Sequence, residues 1–413
     1  MTKPELLSPA GDLERLKVAF AYGADAVYMA GKALGMRAKA RNFELDEISE
    51  GVNYAHQHGK KVYITANIIA RNDDFNIVEE YFSELKKIQP DALIISDYGI
   101  FDAARKIMPD TEIHISTQAN VTNYASVNFW KRLGASRIIL ARELSIKEIH
   151  EINQKSPDIP LETFVHGAMC MAYSGRCLIS NYMNSRDANK GNCTHPCRWT
   201  YSLVEEKSDI LIPVYEDEAG THIFSSKDLC MIAHIPDLIN AGISSFKIEG
   251  RMKTIHYVGS VTKVYRQAID DYIKDSNLYA EKIPDYQAEL RKIIHREYTT
   301  GFYFGPISED DHCYEGGDVS PTKTKRLLAV TDSYDPQSGF CVIEQRNKFE
   351  VGDTVEFLRK SESNFTQVIE EMYTEDGNPL EVAPHPQQKI RLKVDSPVSK
   401  YDMMRMYTAT IQD

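Results

Sequence analysis

From residue 5 to about 250 the chain repeats one unit. A short β-branched run is followed by a stretch with apolar residues at helical spacing, and a glycine then stops the helix just before the next run. The runs are Glu5–Ser8, Ala26–Met29, Val62–Ala66, Ala92–Ser96, Glu112–Ser116, Arg137–Ala141, Leu161–Val165 and Ser245–Ile248. Leu13, Leu16, Val18 and Phe20, and again Val78, Tyr81, Phe82 and Leu85, give the helical stripes between them; Gly23, Gly59, Gly134 and Gly242 are the stops. Eight strands alternating with helices predict an α/β fold, a TIM-like (β/α)8 barrel. An open doubly wound sheet is the competing arrangement, but no Gly-x-Gly-x-x-Gly follows the first strand. The segment after strand seven, about 167–225, is too long for an ordinary connection and in a barrel would open on the C-terminal face, where active sites are built.

Beyond Lys253 two further helices are predicted, Val258–Ile273 and Tyr286–Arg296, before Gly301-Phe-Tyr-Phe-Gly305 and Gly316-Gly317 break the pattern. From about Lys325 the chain turns to short strands (Leu327–Thr331, Phe340–Glu344, Thr354–Leu358, Lys389–Val394, Met404–Thr408) separated by turn signals such as Asp376-Gly377-Asn378. The expected organisation is a barrel over 1–300 with the insertion at 167–225, a linker over 301–324, and a small antiparallel β-barrel over 325–413.

The 413 residues carry 48 Lys+Arg against 60 Asp+Glu, a net charge of −12, which speaks against a general nucleic-acid coat but leaves room for a local basic face. Hydrophobic residues at 42% exclude disorder, and no apolar run is long enough for a membrane span. The start, Met1 to Pro9, contains Lys3 and Glu5 and no apolar run, so no signal peptide is expected and the cytoplasm is the expected compartment.

Four of the seven cysteines, Cys170, Cys177, Cys193 and Cys197, crowd into the long insertion with the spacing Cys-x6-Cys-x15-Cys-x3-Cys. Four thiolates hold either a tetrahedral zinc or an iron–sulfur cluster. Zinc ribbons present two tight Cys-x2-Cys knuckles, absent here, and the looser spacing suits a [4Fe-4S] cube; four unrelated thiols are the plain alternative. Cys230, in Leu229-Cys-Met-Ile-Ala-His, is read as a core thiol on a helix and as the reserve ligand; Cys313 and Cys341 are read as structural.

The run Glu162-Thr-Phe-Val-His-Gly-Ala-Met-Cys170-Met-Ala-Tyr-Ser-Gly175-Arg-Cys177-Leu-Ile-Ser180 resembles the signature of the peptidase U32 family. Leu6-Leu-Ser-Pro-Ala-Gly11 and Phe246-Lys-Ile-Glu-Gly-Arg251 resemble it too. Within the family, Cys193-Thr-His-Pro-Cys197-Arg-Trp is similar to the branch acting in prephenate-dependent formation of 5-hydroxyuridine at the tRNA wobble position. The resemblance implies Cys170, Cys177, Cys193 and Cys197 as ligands of an iron–sulfur cluster, tRNA and prephenate (or a related small dicarboxylate) as partners, and room for a paired partner protein of the same family. The family name preserves a collagenase-like peptidase assignment, which is the alternative activity. Against it, the chain has no His-Glu-x-x-His and no Gly-x-Ser-x-Gly.

An RNA substrate needs local cations. Lys32, Arg37, Lys39 and Arg41 follow strand two, Arg186, Lys190, His195 and Arg198 sit in the cysteine segment, and Lys323, Lys325 and Arg326 lie at the boundary with the tail. A dicarboxylate needs guanidinium forks, and Arg142 and Arg251 follow strands six and eight, accompanied by Glu143 and Glu249. His166, at the end of strand seven, and Glu249 are the acid/base candidates, while Asn67, Asp97 and Gln118 end strands on the same face.

Overall fold

The computed structural model describes residues 3–35, 42–170, 172–198, 227–306 and 324–407, with four two-residue strands between 203 and 221. Eight parallel strands close a barrel: β1 (Glu5–Pro9), β2 (Ala26–Met29), β3 (Lys61–Ala66), β4 (Ala92–Ile95), β5 (Glu112–Ile115), β6 (Arg137–Ile139), β7 (Leu161–Ala168) and β9 (Ile243–Ile248). Closure is made by β9, which pairs with β1 on one side (Glu5 opposite Ser245) and β7 on the other (Ile243 opposite Leu161). The strands are near-continuous apolar runs because each is covered on both faces, by the barrel interior and by the helical shell.

Helices α1 (Leu13–Ala21), α2 (Leu45–Gln57), α3 (Val78–Ile88), α4 (Tyr98–Ile107), α5 (Tyr124–Arg132) and α6 (Ile146–Lys155) lie between the strands. Several start where a polar side chain takes up first-turn amides: Asp12 accepts from the Arg15 N–H at 2.9 Å, and Ser145 with Glu148 forms a capping box. Asp97, at the end of β4, is spent the same way on Gly99 and Ile100.

An extra strand, β8 (Asp228–Cys230), lies antiparallel on the end of β7, with Cys230 opposite His166. The helix expected around Cys230 is therefore a strand leading into a 3-10 turn at Ile232–His234. A six-residue stretch of helical spacing is equally compatible with a short buried strand when its pairing partner is remote in sequence. After α8 (Ile235–Asn240) and β9 come α9 (Ile255–Lys274) and α10 (Ser276–Leu290). The second of these starts ten residues before Tyr286, capped by Asp275, and runs through Pro284. Burial of Tyr279, Tyr286 and Leu290 offsets the amide lost at the proline. Strand β10 (Tyr298–Thr299) then pairs with β8.

The tail is a seven-stranded antiparallel sheet curled into a half-barrel. Its strands are β11 (Lys325–Asp335), β12 (Phe340–Gln345), β13 (Thr354–Leu358), β14 (Phe365–Val368), β15 (Met372–Thr374), β16 (Lys389–Lys393) and β17 (Met403–Tyr407), in the order β14-β13-β17-β11-β12-β16-β15. Among the described residues β14 and β15, at the two ends, do not pair with each other, so the sheet stays a half-barrel. Those two strands escape a hydrophobic-pattern search because edge strands bury little.

The tail packs on the outside of the barrel. Val18 and Tyr22 of α1 and Ile255 of α9 form one cluster with Val330, Leu358 and Met403. Beside it lies a buried charge network in which Arg405 meets Glu289 of α10 and Glu356 of β13, Lys325 reaches Glu356 at 2.8 Å, and His256 of α9 stands 3.3 Å from Arg405. Burial, and then the Arg405 charge, push the His256 pKa down to about 3. Its unfolded value is about 6.5, so the unfolded chain binds the proton first and stability declines as pH falls through the window from 6.5 toward 3, by about 1.4 kcal/mol per pH unit. His166, also pushed down to about 3 by burial, acts in the same direction. Urea titrations should show the midpoint falling across this range, and His256→Gln should flatten the slope by about that amount. An unchanged slope would mean that His256 is protonated in the folded state.

No helix among the described residues is long and apolar enough to cross a membrane.

Candidate functional site: a cysteine segment over the barrel mouth

The chain leaves β7 at Ala168 and crosses the C-terminal end of the barrel, fastened to three strand-to-helix loops. The Glu143 carboxylate, after β6, accepts from the Ser174 N–H at 2.9 Å and from its hydroxyl. Asn120, after β5, donates to the Ser174 carbonyl at 3.0 Å. After β3, the Ile69 N–H donates to the Asn189 carbonyl at 3.0 Å, while Asp74 pairs with Lys190 at 2.8 Å and Arg71 with Asp187 at 2.9 Å. Each anchor is individually modest; together they hold one geometry.

Two glycines are required by this course. Gly167 has φ +109°, and a Cβ there would stand 2.6 Å from the Glu249 carbonyl oxygen. Gly175, midway between Ser174 and Arg176, has φ +73°, and its Cβ would fall 2.0 Å from the Gln118 carbonyl oxygen. Gly175→Ala should lift the segment off the turn after β5, raising the rate of proteolytic cleavage within it several-fold while the far-UV dichroism of the barrel stays unchanged. A wild-type cleavage rate in this variant would show that the contact is dispensable.

Within the segment, helix α7 (Ile179–Asn184) and the turn at Ala188–Lys190 bring distant cysteines together. Ser180 Oγ accepts from the Thr194 N–H at 3.1 Å, Asn184 donates to Thr194 Oγ1 at 2.9 Å, and Asn189 donates to the Cys177 carbonyl at 3.0 Å. Cys193 Sγ accepts the His195 N–H at 3.3 Å. Burial, and then the nearby Cys177 and Cys170 thiols, raise the Cys193 pKa, opposed by the His195 amide and the Ser180 hydroxyl. Three of the four predicted ligands therefore share one electrostatic neighbourhood; the fourth, Cys197, is half-buried on the turn that follows His195.

Among the described residues no three His, Cys, Asp or Glu side chains stand ready around a single metal ion. The donor set nonetheless fits a cluster, which is wider than one ion. Thiolates at these positions would repel one another and be neutralised by a cationic core, and an amide hydrogen bond points at one sulfur, the kind of contact that tunes cluster potentials. Cys230 lies elsewhere, at the base of the segment, half-buried beside the Tyr265 hydroxyl at 4.0 Å, with its thiol pushed up to about 11 by burial.

Near the start of the segment, two cations of the barrel interior share the Phe164 ring. The Arg142 guanidinium lies 3.9 Å above the Phe164 ring and donates to the Ala168 carbonyl at 2.8 Å, while its Nε is buried with no hydrogen-bond partner among the described residues. Lys247 of β9 approaches the same ring and that of Tyr28 and bonds Glu162 at 2.9 Å. Burial opposes ionisation of Glu162, but Lys247 and Arg137 hold it at about 2, so the pair stays charged. Glu249 accepts from the Tyr28 hydroxyl at 3.2 Å at the rim. Lys247, Glu162, Phe164 and Tyr28 were not among the expected site residues. The legible signal was a lysine between Phe246 and Ile248, a charge in a strand covered on both faces.

The other expected residues are dispersed. His166 is almost fully buried, on the helix side of β7, ringed by Tyr257, Tyr265 and Tyr298 with its Nδ1 3.4 Å from the Tyr265 hydroxyl. The cause is a register shift: Phe164 faces Lys247, but His166, two residues on, faces Ile248, and this bulge at Val165 swings the histidine out of the lumen. Arg251 is buried in the loop after β9, its carbonyl against Gly11. Arg37, Lys39, Arg41 and Lys323 lie outside the described residues, as does Cys313, and the side chain of Arg198 does too. Lys32 pairs with Glu44, Arg186 is held by Asn192, Lys325 belongs to the tail network, and Asn67 donates to Ser116 at 3.2 Å.

Residues 11–312 match the sequence model of Peptidase family U32, and residues 323–405 that of the Peptidase family U32 C-terminal domain. The chain is 42% identical over 404 residues to tRNA hydroxylation protein P1 of Bacillus subtilis, covering 98% of this chain and 94% of that one. It is 38% identical to tRNA hydroxylation protein P of Escherichia coli, covering 93% and 92%. To tRNA hydroxylation protein P2 of Bacillus subtilis it is 37% identical, covering 74% of this chain and 98% of that one.

Proposed function

The chain belongs to peptidase family U32, and from that membership we propose that it is a tRNA-modifying enzyme that hydroxylates the wobble uridine to 5-hydroxyuridine. The reading includes a [4Fe-4S] cluster on Cys170, Cys177, Cys193 and Cys197, with prephenate or a related small dicarboxylate as co-substrate. The observation that supports it is the fastening of the cysteine segment to the loops after β3, β5 and β6, at the end of the barrel where Arg142 stands over Phe164. The names of the similar proteins support RNA hydroxylation as the class of reaction.

When bound, the cluster supplies one-electron chemistry at the mouth of the barrel. The protein's own contribution is positional. Arg142, braced on Phe164 and the Ala168 carbonyl, supplies a guanidinium for an anionic ligand, and Lys247 adds charge that Glu162 holds in place. Glu249, steadied by Tyr28, is the rim carboxylate within reach of a bound substrate. His166, neutral and enclosed by tyrosines, sets the junction between β7 and β8. Ser174, the serine between the first two ligands, has its hydroxyl engaged by Glu143 rather than by a histidine, which counts against the peptidase alternative.

A tRNA enzyme works in the cytoplasm, and the paired P1 and P2 relatives of one bacterium support a partner protein of the same family. The test is nucleoside mass spectrometry of total tRNA from a hydroxylation-deficient bacterium carrying this gene, alone and with a paired relative. Return of 5-hydroxyuridine supports the reading. Its absence in both strains, with soluble iron-loaded protein present, overturns it.

A further inference from the structure

We propose that the outer face of the cysteine segment, formed by Tyr173, Arg176, Leu178 and Tyr182, is a stacking platform that receives an unpaired base of the RNA substrate; this deepens the reading above and rests on it. Tyr182 is 92% exposed, Leu178 67% and Tyr173 59%, three uncovered large side chains within ten residues of the segment. Leu178 and Tyr182 are one helical turn apart, joined by the Tyr182 N–H donating to the Leu178 carbonyl at 2.8 Å, so they present one face. Tyr98, also exposed, is by contrast covered on one side by Trp130, stacked at 4.9 Å.

The backing of this face is rigid. Ser174 is clamped by Glu143, and Ser180, the buried residue of α7, is tied to Thr194. A surface that spends exposed aromatic rings on a well-braced support is preorganised to stack, and every base offers a ring face.

Charge selects RNA as the occupant. Residues 167–200 carry Arg176, Arg186, Lys190 and Arg198 against the single acid Asp187, in a chain whose net charge is −12. A polyanion is repelled by the chain as a whole and drawn to this segment. Arg186 is occupied by Asn192 and Lys190 by Asp74, whereas Arg176 is exposed and makes no ion pair among the described residues. Its amide donates to the Tyr173 carbonyl at 3.0 Å, so it stands next to that tyrosine, placed to meet the phosphate of a base stacked there.

The test uses the full-length, iron-loaded protein and two fluorescein-labelled probes: an RNA stem-loop with unpaired uridines in its loop, and a blunt RNA duplex of equal length. Stem-loop binding is expected to weaken about tenfold in Tyr182→Ala and to remain within about twofold of wild type in Tyr182→Trp, with iron content and melting temperature unchanged in both. Arg176→Gln should reduce the slope of log affinity against log salt by about 0.7. Stem-loop binding by wild type that Tyr182→Ala leaves unaltered overturns the platform and leaves RNA modification standing. Failure of wild type to bind either probe overturns both. If light scattering instead shows Tyr182→Ala abolishing self-association with no effect on RNA, the face is a contact between copies and the platform is overturned.

Discussion

Arg405→Ala should destabilise the protein by about 3–5 kcal/mol, the cost of breaking a buried ion pair by removing one partner. Arg405 is fully buried at the junction of barrel and tail, meeting Glu289 on α10 and Glu356 on β13, and donating toward His256 on α9. Burial alone would raise the Glu356 pKa, yet the charges of Arg405 and Lys325 hold it at about 2, so the carboxylate depends on its cations. Lys292 and Lys325 remain after the substitution and neutralise part of the deficit, but neither fills the space of the guanidinium. Urea unfolding at neutral pH should give a lowered midpoint, with the tail released before the barrel unfolds. Arg405→Lys, which keeps charge but not the fork, should recover only part of the loss. A midpoint within about 0.5 kcal/mol of wild type would show that the network is not what holds tail to barrel.

Under the proposed function, Cys170→Ala should abolish the cluster's chromophore and reduce hydroxylation to background. The residue sits two positions beyond the end of β7, where the segment starts its crossing, and its thiol adds to the charge that raises the Cys193 pKa. Loss of one thiolate opens the donor set and exposes the cluster to solvent and oxidation. Iron, acid-labile sulfide and visible absorbance measured on anaerobically purified protein report the effect directly. Cys230→Ser is the matched control: its thiol is enclosed by Tyr265 at the base of the segment, so cluster content should stay at the wild-type level. Retained chromophore and activity in Cys170→Ala would remove Cys170 from the ligand set.

The barrel was legible because its rule is local. Each helix stripe, glycine stop and buried run is written within about thirty residues, and all eight predicted strands lie within two or three residues of the observed ones. What was hidden depends on contacts made only after closure. The bulge at Val165 reverses the alternation of β7, so an even count from Glu162 places His166 in the lumen when it faces Tyr265. Cys230 was misplaced on a helix because its pairing partner, Gly167 to Ala168 and His166, lies some sixty residues earlier. The four cysteines announced themselves by density, whereas Lys247 and Glu162, 85 residues apart in sequence, become a pair only across the seam between β7 and β9. In sequence Glu143 stands as a companion to Arg142, yet its carboxylate is taken by Ser174; sequence adjacency says nothing about which neighbour it serves.

The antiparallel pairing of β8 with the end of β7 has an architectural consequence. It sets Asp228 opposite Ala168, so the long excursion returns to the point from which it departed. A loop whose two ends are zipped together makes no demand on the ring of strands below, and residues can be added or deleted inside it without altering barrel register. The cysteine segment is in this sense a cassette on a fixed socket. Its length and content can therefore differ between relatives while the strands beneath keep their register.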